Sequence, residues 1–98
     1  MIKGIDWVDI ADYELHTAFG WYEQRQIGLG IQLFECVDAC QNVLIRHPFI
    51  GTPIAENIRR ILVRRFPYGI YYRTHGEEIR ILVVKHHSRH ADYWKYRI

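Results

Sequence analysis

Arg59-Arg60-Ile61-Leu62-Val63-Arg64-Arg65-Phe66-Pro67-Tyr68-Gly69-Ile70-Tyr71-Tyr72 runs to a turn at His75-Gly76-Glu77 and returns as Ile79-Arg80-Ile81-Leu82-Val83-Val84-Lys85-His86. Branched and aromatic residues in runs of this length, punctuated by proline and glycine, favour strands. The stretch predicts a β-meander with strands at 58–66, 70–74 and 78–87. Pro67 then stands at a strand end, where no ladder N–H need be lost. Arginines and tyrosines alternate with the apolar residues, so the sheet offers basic groups and rings to a partner with anionic groups or flat rings.

Side chains alternate between the faces of a strand. In the first strand of the meander, Ile61 and Val63 are the better core pair, which turns Arg60 and Arg64 outward with Leu62 between them. In the last strand, Arg80, Leu82, Val84 and His86 share one face, expected to adjoin Arg60 and Arg64. Ile79, Ile81, Val83 and Lys85 share the other.

Upstream, a short strand is expected from Lys3 to Val8, with Asp9 placed to cap the helix that follows. Ala11, Leu15, Ala18 and Tyr22 form one helical stripe, and Leu29, Leu33, Val37, Cys40 and Leu44 form a second. Gly28-Leu29-Gly30 breaks the pattern between them, so the pair reads as an αα-hairpin. The second helix ends before Pro48, because a residue preceding proline avoids helical angles. Residues 48–57, with two prolines and a glycine, read as a loop. The tail, 88–98, is expected to form at most a short helical turn, with Trp94 and Tyr96 docking back on the core. The order is β-α-α-β-β-β: an α+β fold over a single domain, residues 1–98, with a mainly antiparallel sheet and the helices on one face.

Ninety-eight residues suffice for one core, burying roughly two thirds of the surface of the unfolded chain. An apolar fraction of 49% and a charged fraction of 24% are those of an ordinary globular domain. The net charge is +2, too weak by itself to argue for nucleic-acid binding. Its distribution is uneven: residues 59–98 hold ten Lys/Arg against three acids, and residues 1–57 hold three against eight. Cys36 and Cys40 are four apart on the second helix, with no further ligands at metal-binding spacing, so they read as small apolar residues and no metal or cofactor is expected. With no basic-then-apolar leader and no apolar run approaching about 18 residues, the expected location is the cytoplasm, without a membrane partner.

His86, His87, Arg89, His90 and Tyr93 converge on the end of the last strand. Histidine moves protons near neutral pH and arginine stabilises phosphate charge, which is what a metal-independent ribonuclease needs around one phosphodiester.

Trp21-Tyr22-Glu23, Gly28-Leu29-Gly30 with Phe34, Arg59-Arg60 through Arg65-Phe66-Pro67-Tyr68 with Ile70 and Tyr72, and the ending His86, Arg89, Tyr93-Trp94 together resemble the RelE/ParE toxin superfamily, in its ParE-like plasmid-stabilisation branch. The resemblance spans residues 11–97 and implies the same fold, two helices on a twisted antiparallel sheet. It implies the toxin of a type II toxin–antitoxin pair, held in a hetero-oligomer by a small antitoxin with a segment that orders on binding. ParE-like members act on DNA gyrase through protein–protein contact, so no catalytic residue is expected. RelE-like members cut mRNA on the ribosome. In that alternative Arg60 and Arg64 would hold phosphates, Arg89 would stabilise the transition state, and His86 or His87 with Tyr93 would move protons. The RNA-cutting members tend to carry an arginine where this chain has Gly69, which weighs against cutting. Ala91 stands where ParE-like members commonly have proline. A third reading is a non-toxic, degenerate member of the superfamily.

Overall fold

The computed structural model describes residues 1–97. From the N-terminus the chain runs β1 (Gly4–Trp7), α1 (Asp9–Arg25), α2 (Leu29–Arg46), β2 (Thr52–Ala55), β3 (Ile58–Leu62), β4 (Tyr68–His75) and β5 (Glu78–His86), and closes with a 3₁₀ turn, Lys95–Arg97. The fold is α+β, as expected, but the meander is not limited to three strands. Residues 52–55, expected as loop, pair antiparallel with β3, and the single sheet has the order β1-β5-β4-β3-β2. Pro53 lies on this edge strand, where a missing N–H costs no ladder bond. β1 pairs in parallel with β5, and the other neighbours pair antiparallel. The connection between these parallel strands is long, as such a pair requires: the helical hairpin carries the chain to β2 at the opposite edge, and the meander brings it back to β5 beside β1.

Both helical stripes face the core as read: Ala11, Leu15, Ala18 and Tyr22 on α1 and Leu33, Val37, Cys40 and Leu44 on α2 are buried, and Leu29 is partly buried against them. Two local details differ from expectation. Val8, not Asp9, is the N-cap of α1, and no side chain caps that end. Asp9 instead sits in the first turn, where its charge favours the positive end of the helix dipole. Gly30 is no breaker but a buried residue inside α2. A Cβ on Gly30 would come within 2.6 Å of the Phe19 ring and 2.8 Å of the Phe19 carbonyl oxygen, so the missing side chain sets how closely α1 approaches α2. The turn itself is made by Gly28, at φ +92°, with Glu23 accepting the N–H groups of Gly28 and Gly30 at 2.9 and 2.8 Å. Glu23 thus satisfies donors that the helix start would otherwise leave open. Gly30→Ala should destabilise the protein by about 1–3 kcal/mol, because the carbonyl it meets belongs to a helix backbone and cannot swing aside. A urea midpoint equal to wild type would show that the helices can part at no cost.

The sheet carries apolar clusters on both faces. The helix-side core joins the two stripes to Val63, Phe66, Ile70, Tyr72, Ile79, Ile81 and Val84. The far face holds Ile58, Tyr71, Leu82, Val83 and Trp94. The split of β5 corrects the alternation expected from sequence. Tyr71 pairs with Val83 but Tyr72 pairs with Ile81, so Leu82 is an extra residue in β5. A bulge of this kind shifts every later side chain to the opposite face. Arg80 and Leu82 therefore share the far face with Val83 and Lys85, while Val84 and His86 join Ile79 and Ile81 on the helix side. β3 also ends earlier than Phe66. Residues 64–67 form a turn in which Arg65 takes φ +70°.

Candidate functional site

The bulge and the short β3 decide where the six candidate residues go. Arg60 lies outward on the far face, as expected, opposite Tyr71 across β3 and β4. It lines a hollow of about 280 Å³ with Leu62, Gly69, Tyr71, Lys85 and His87. Arg64 belongs to the β3–β4 turn and is exposed. His86, Arg89 and Tyr93 line a different cleft, of about 410 Å³, between α1 and the ends of β4 and β5. The expected constellation is therefore divided: Arg60 and His87 on one side of the sheet, His86, Arg89 and Tyr93 on the other, with Arg64 lining neither hollow.

Within the cleft the polar groups hold one another. Glu14, from α1, accepts the Val84 N–H at 3.0 Å, the Tyr93 hydroxyl at 3.1 Å, and both Arg97 terminal nitrogens at 3.1 and 3.0 Å. Val84 is available because β1 stops pairing at Trp7↔Ile81, which leaves the later half of β5 without a neighbour on that side. The tail is tied to α1 through this one carboxylate. Burial, reinforced by the Glu14 charge and hydrogen bond, pushes the Tyr93 hydroxyl up to about 12. Near neutral pH it keeps its proton and donates it to Glu14, which ill suits it to act as a base. Arg89 stacks its guanidinium 4.2 Å over the Tyr93 ring. His86 Nδ1 accepts the Ser88 N–H at 3.0 Å, and its ring meets Tyr68 edge-on at 5.0 Å. Trp21 and Tyr22 complete an aromatic wall, and burial raises the Tyr22 and Tyr68 hydroxyls as well.

Gly69 forms the floor of the far-face hollow. A Cβ there would stand 3.2 Å from Arg60 Cδ and 3.3 Å from its Cγ, so the arginine stem lies across bare backbone. Trp94, expected to dock on the core, does so on this face. It packs at 5.0 Å against Tyr71 and donates its indole N–H to the Ala91 carbonyl at 2.8 Å. Tyr96 remains exposed.

A third hollow, about 480 Å³, runs along the helical hairpin between Trp7, Leu15, His16, Ile31, Phe34 and Val37. Ile10, Tyr13, Trp21, Ile27 and Ile31 leave much of their area exposed on the helices and the turn between them. Apolar surface of this kind marks a protein interface more readily than a catalytic centre. The Cys40 thiol, raised by burial, is packed beneath the sheet and is no nucleophile. Among the described residues no group of three or more His, Cys, Asp or Glu could hold a metal ion, and no helix is long and apolar enough to cross a membrane.

Sequence reasoning missed Glu14 and Lys85. Glu14 sits on a helix as one acid among eight in the N-terminal half, and only the crossover brings it to β5. Lys85 was read on the core side of a regular strand. The bulge turns it to the far face.

Residues 5–91 match the family described as the ParE toxin of type II toxin–antitoxin systems, parDE. Toxin ParE2 of Mycobacterium tuberculosis, in strains CDC 1551 and H37Rv, is 36% identical over 76 residues, covering 74% of this chain and 70% of the relative. In fold, the chain resembles a structure of the chromosomal ParDE toxin–antitoxin system from P. aeruginosa, with a TM-score of 0.75 at 18% identity over 87% of this chain and 96% of that one. With sequence match and architecture in agreement, the chain belongs to the ParE toxin family of type II toxin–antitoxin systems.

Proposed function

We propose that this chain pairs with a cognate antitoxin in the cytoplasm and, when released, inhibits DNA gyrase by binding it, without making or breaking a bond itself. The observation that carries the non-nuclease part is the division of the polar candidates. Arg60 lines the far-face hollow and Arg64 lines neither, so the phosphate-holding arginines lie apart from the cleft of His86, Arg89 and Tyr93, where Tyr93 is committed as a donor to Glu14. A single phosphodiester cannot meet both sets, and in-line cleavage needs its phosphate contacts, acid and base around one phosphorus. The exposed apolar residues of the hairpin support a protein partner there. We assign the helical hairpin and part of the sheet to the antitoxin, in an interface well above about 1,000 Å².

The test is expression of the chain alone, followed by inspection of DNA and message, with purified gyrase as the parallel assay. The expected result is double-strand breaks with an SOS response, intact mRNA, and loss of supercoiling by gyrase. Codon-periodic mRNA cuts that vanish in Arg89→Ala would replace this reading with the ribonuclease one. Normal growth with uninhibited gyrase would mark a degenerate, non-toxic protein.

A further inference from the structure

Lys85 is an unusual residue for a sheet face. Its side chain is sunk to 7% exposure, and its ammonium group donates to the His86 carbonyl at 3.2 Å. Arg60, which lines the same hollow, has a buried Nε without an acceptor among the described residues. Neither residue forms an ion pair with a carboxylate among the described residues, and the six residues lining the hollow include no acid. A buried cation without a counter-charge is costly, and buried donors seek acceptors. The surroundings keep the hollow open: Gly69 contributes no side chain to its floor, and His87 is a further polar residue of its lining. Leu62, 55% exposed, stands at the rim as an apolar contact.

We propose that this hollow receives one carboxylate, an Asp or Glu side chain of the antitoxin, which bonds Lys85 and Arg60 while an adjacent apolar residue of the same segment rests on Leu62. This deepens the antitoxin pairing proposed above and rests on it. Two cationic side chains lining one small, partly apolar hollow match a single acidic side chain with an apolar neighbour. A nucleic-acid backbone would call for a track of cations, whereas this hollow holds two cations beside the exposed apolar Leu62. Charge-assisted bonds to a buried ammonium are the stronger class of hydrogen bond, so the carboxylate would add affinity as well as register.

The experiment measures affinity between the purified toxin and the protein encoded by the adjacent reading frame, at one fixed salt concentration. Lys85→Met keeps the stem and removes the charge; replacing a buried cation by an apolar residue of similar size need not harm folding, and thermal melting checks this. Lys3→Met removes the same charge from an exposed site, where Lys3 pairs with Glu77. The expected result is affinity weakened about tenfold to a hundredfold in Lys85→Met and in Arg60→Met, with Lys3→Met close to wild type. Equal affinity in Lys85→Met and wild type would overturn the carboxylate site while leaving the pairing intact, and so would equal losses in Lys85→Met and Lys3→Met. A wild-type toxin that binds no such protein would bring down both readings. A single-stranded RNA oligonucleotide serves as the competing probe. If Lys85→Met abolishes its binding while antitoxin affinity stays unchanged, the hollow belongs to nucleic acid and the proposal is wrong.

Discussion

Glu14→Ala is expected to lower the stability of the folded protein by about 3–5 kcal/mol, the range for removing one partner of a buried ion pair. The carboxylate accepts four hydrogen bonds, from Val84, Tyr93 and twice from Arg97. The side chains of Arg97 and Glu14 are only 12% and 16% exposed, so water cannot readily replace the lost partner. Among the described residues the Arg97 Nε already has no acceptor, and removal of Glu14 would take away those of its two terminal nitrogens. Native domains hold only about 5–15 kcal/mol in total, so the loss would be a large fraction of the whole. Urea denaturation gives the magnitude, and hydrogen exchange at the Val84 amide reports the local effect. Glu14→Gln should cost less, since the amide oxygen still accepts from Val84. A shift below about 1 kcal/mol in Glu14→Ala would place the pair among surface ion pairs of little consequence.

The layout of the fold was legible wherever one periodicity ran without interruption. The stripes Ala11–Leu15–Ala18–Tyr22 and Leu29–Leu33–Val37–Cys40–Leu44 were read from spacing alone, and all but the partly covered Leu29 are buried. The meander was legible because its strands are dense in branched and aromatic residues. β2 was not: four residues including Pro53 are too few and too turn-like to display a period, and pairing with β3 makes them a strand. The extra residue at Leu82 was illegible for a different reason. Ile81-Leu82-Val83-Val84 is apolar throughout, so the run looks the same in either register and the shift appears only in the pairing with β4.

That single shift also explains why the candidate residues could be named but not assembled. His86, His87, Arg89 and Tyr93 lie near one end of the sheet, as read, and Arg60 stands further in on β3, opposite Tyr71. The face of each residue beyond Leu82 depended on the bulge, and His86 went to the helix side and Lys85 to the far side. The reading of Gly30 as part of a breaker failed in a related way. Gly30 is defined by what would collide with a Cβ, the Phe19 ring and carbonyl, and Gly69 likewise by the Arg60 stem that lies over it. Such requirements come from residues distant in sequence, and no local window contains them.

The tail shares this dependence on distant contacts, and Trp94→Ala should expose it, with an expected cost of about 3–5 kcal/mol, typical of emptying an aromatic site in a core. Trp94 is 1% exposed and is the largest member of the far-face cluster with Ile58, Tyr71, Leu82 and Val83. The sheet residues beneath it have no helix to cover them, so the tail supplies the cover that the helical hairpin supplies on the other side. If the tail belongs to the same cooperative unit as the sheet, the urea midpoint falls with an unchanged slope. A tail that opens by itself would give a small midpoint change with early loss of amide protection after residue 88. Combining Trp94→Ala with Glu14→Ala separates the two anchors. Because both hold one segment, the second substitution should cost less once the first has freed it, and the double variant should be more stable than the sum of the single losses implies. Strict additivity would mean that Glu14 acts through Val84 alone and that Trp94 stays docked without it.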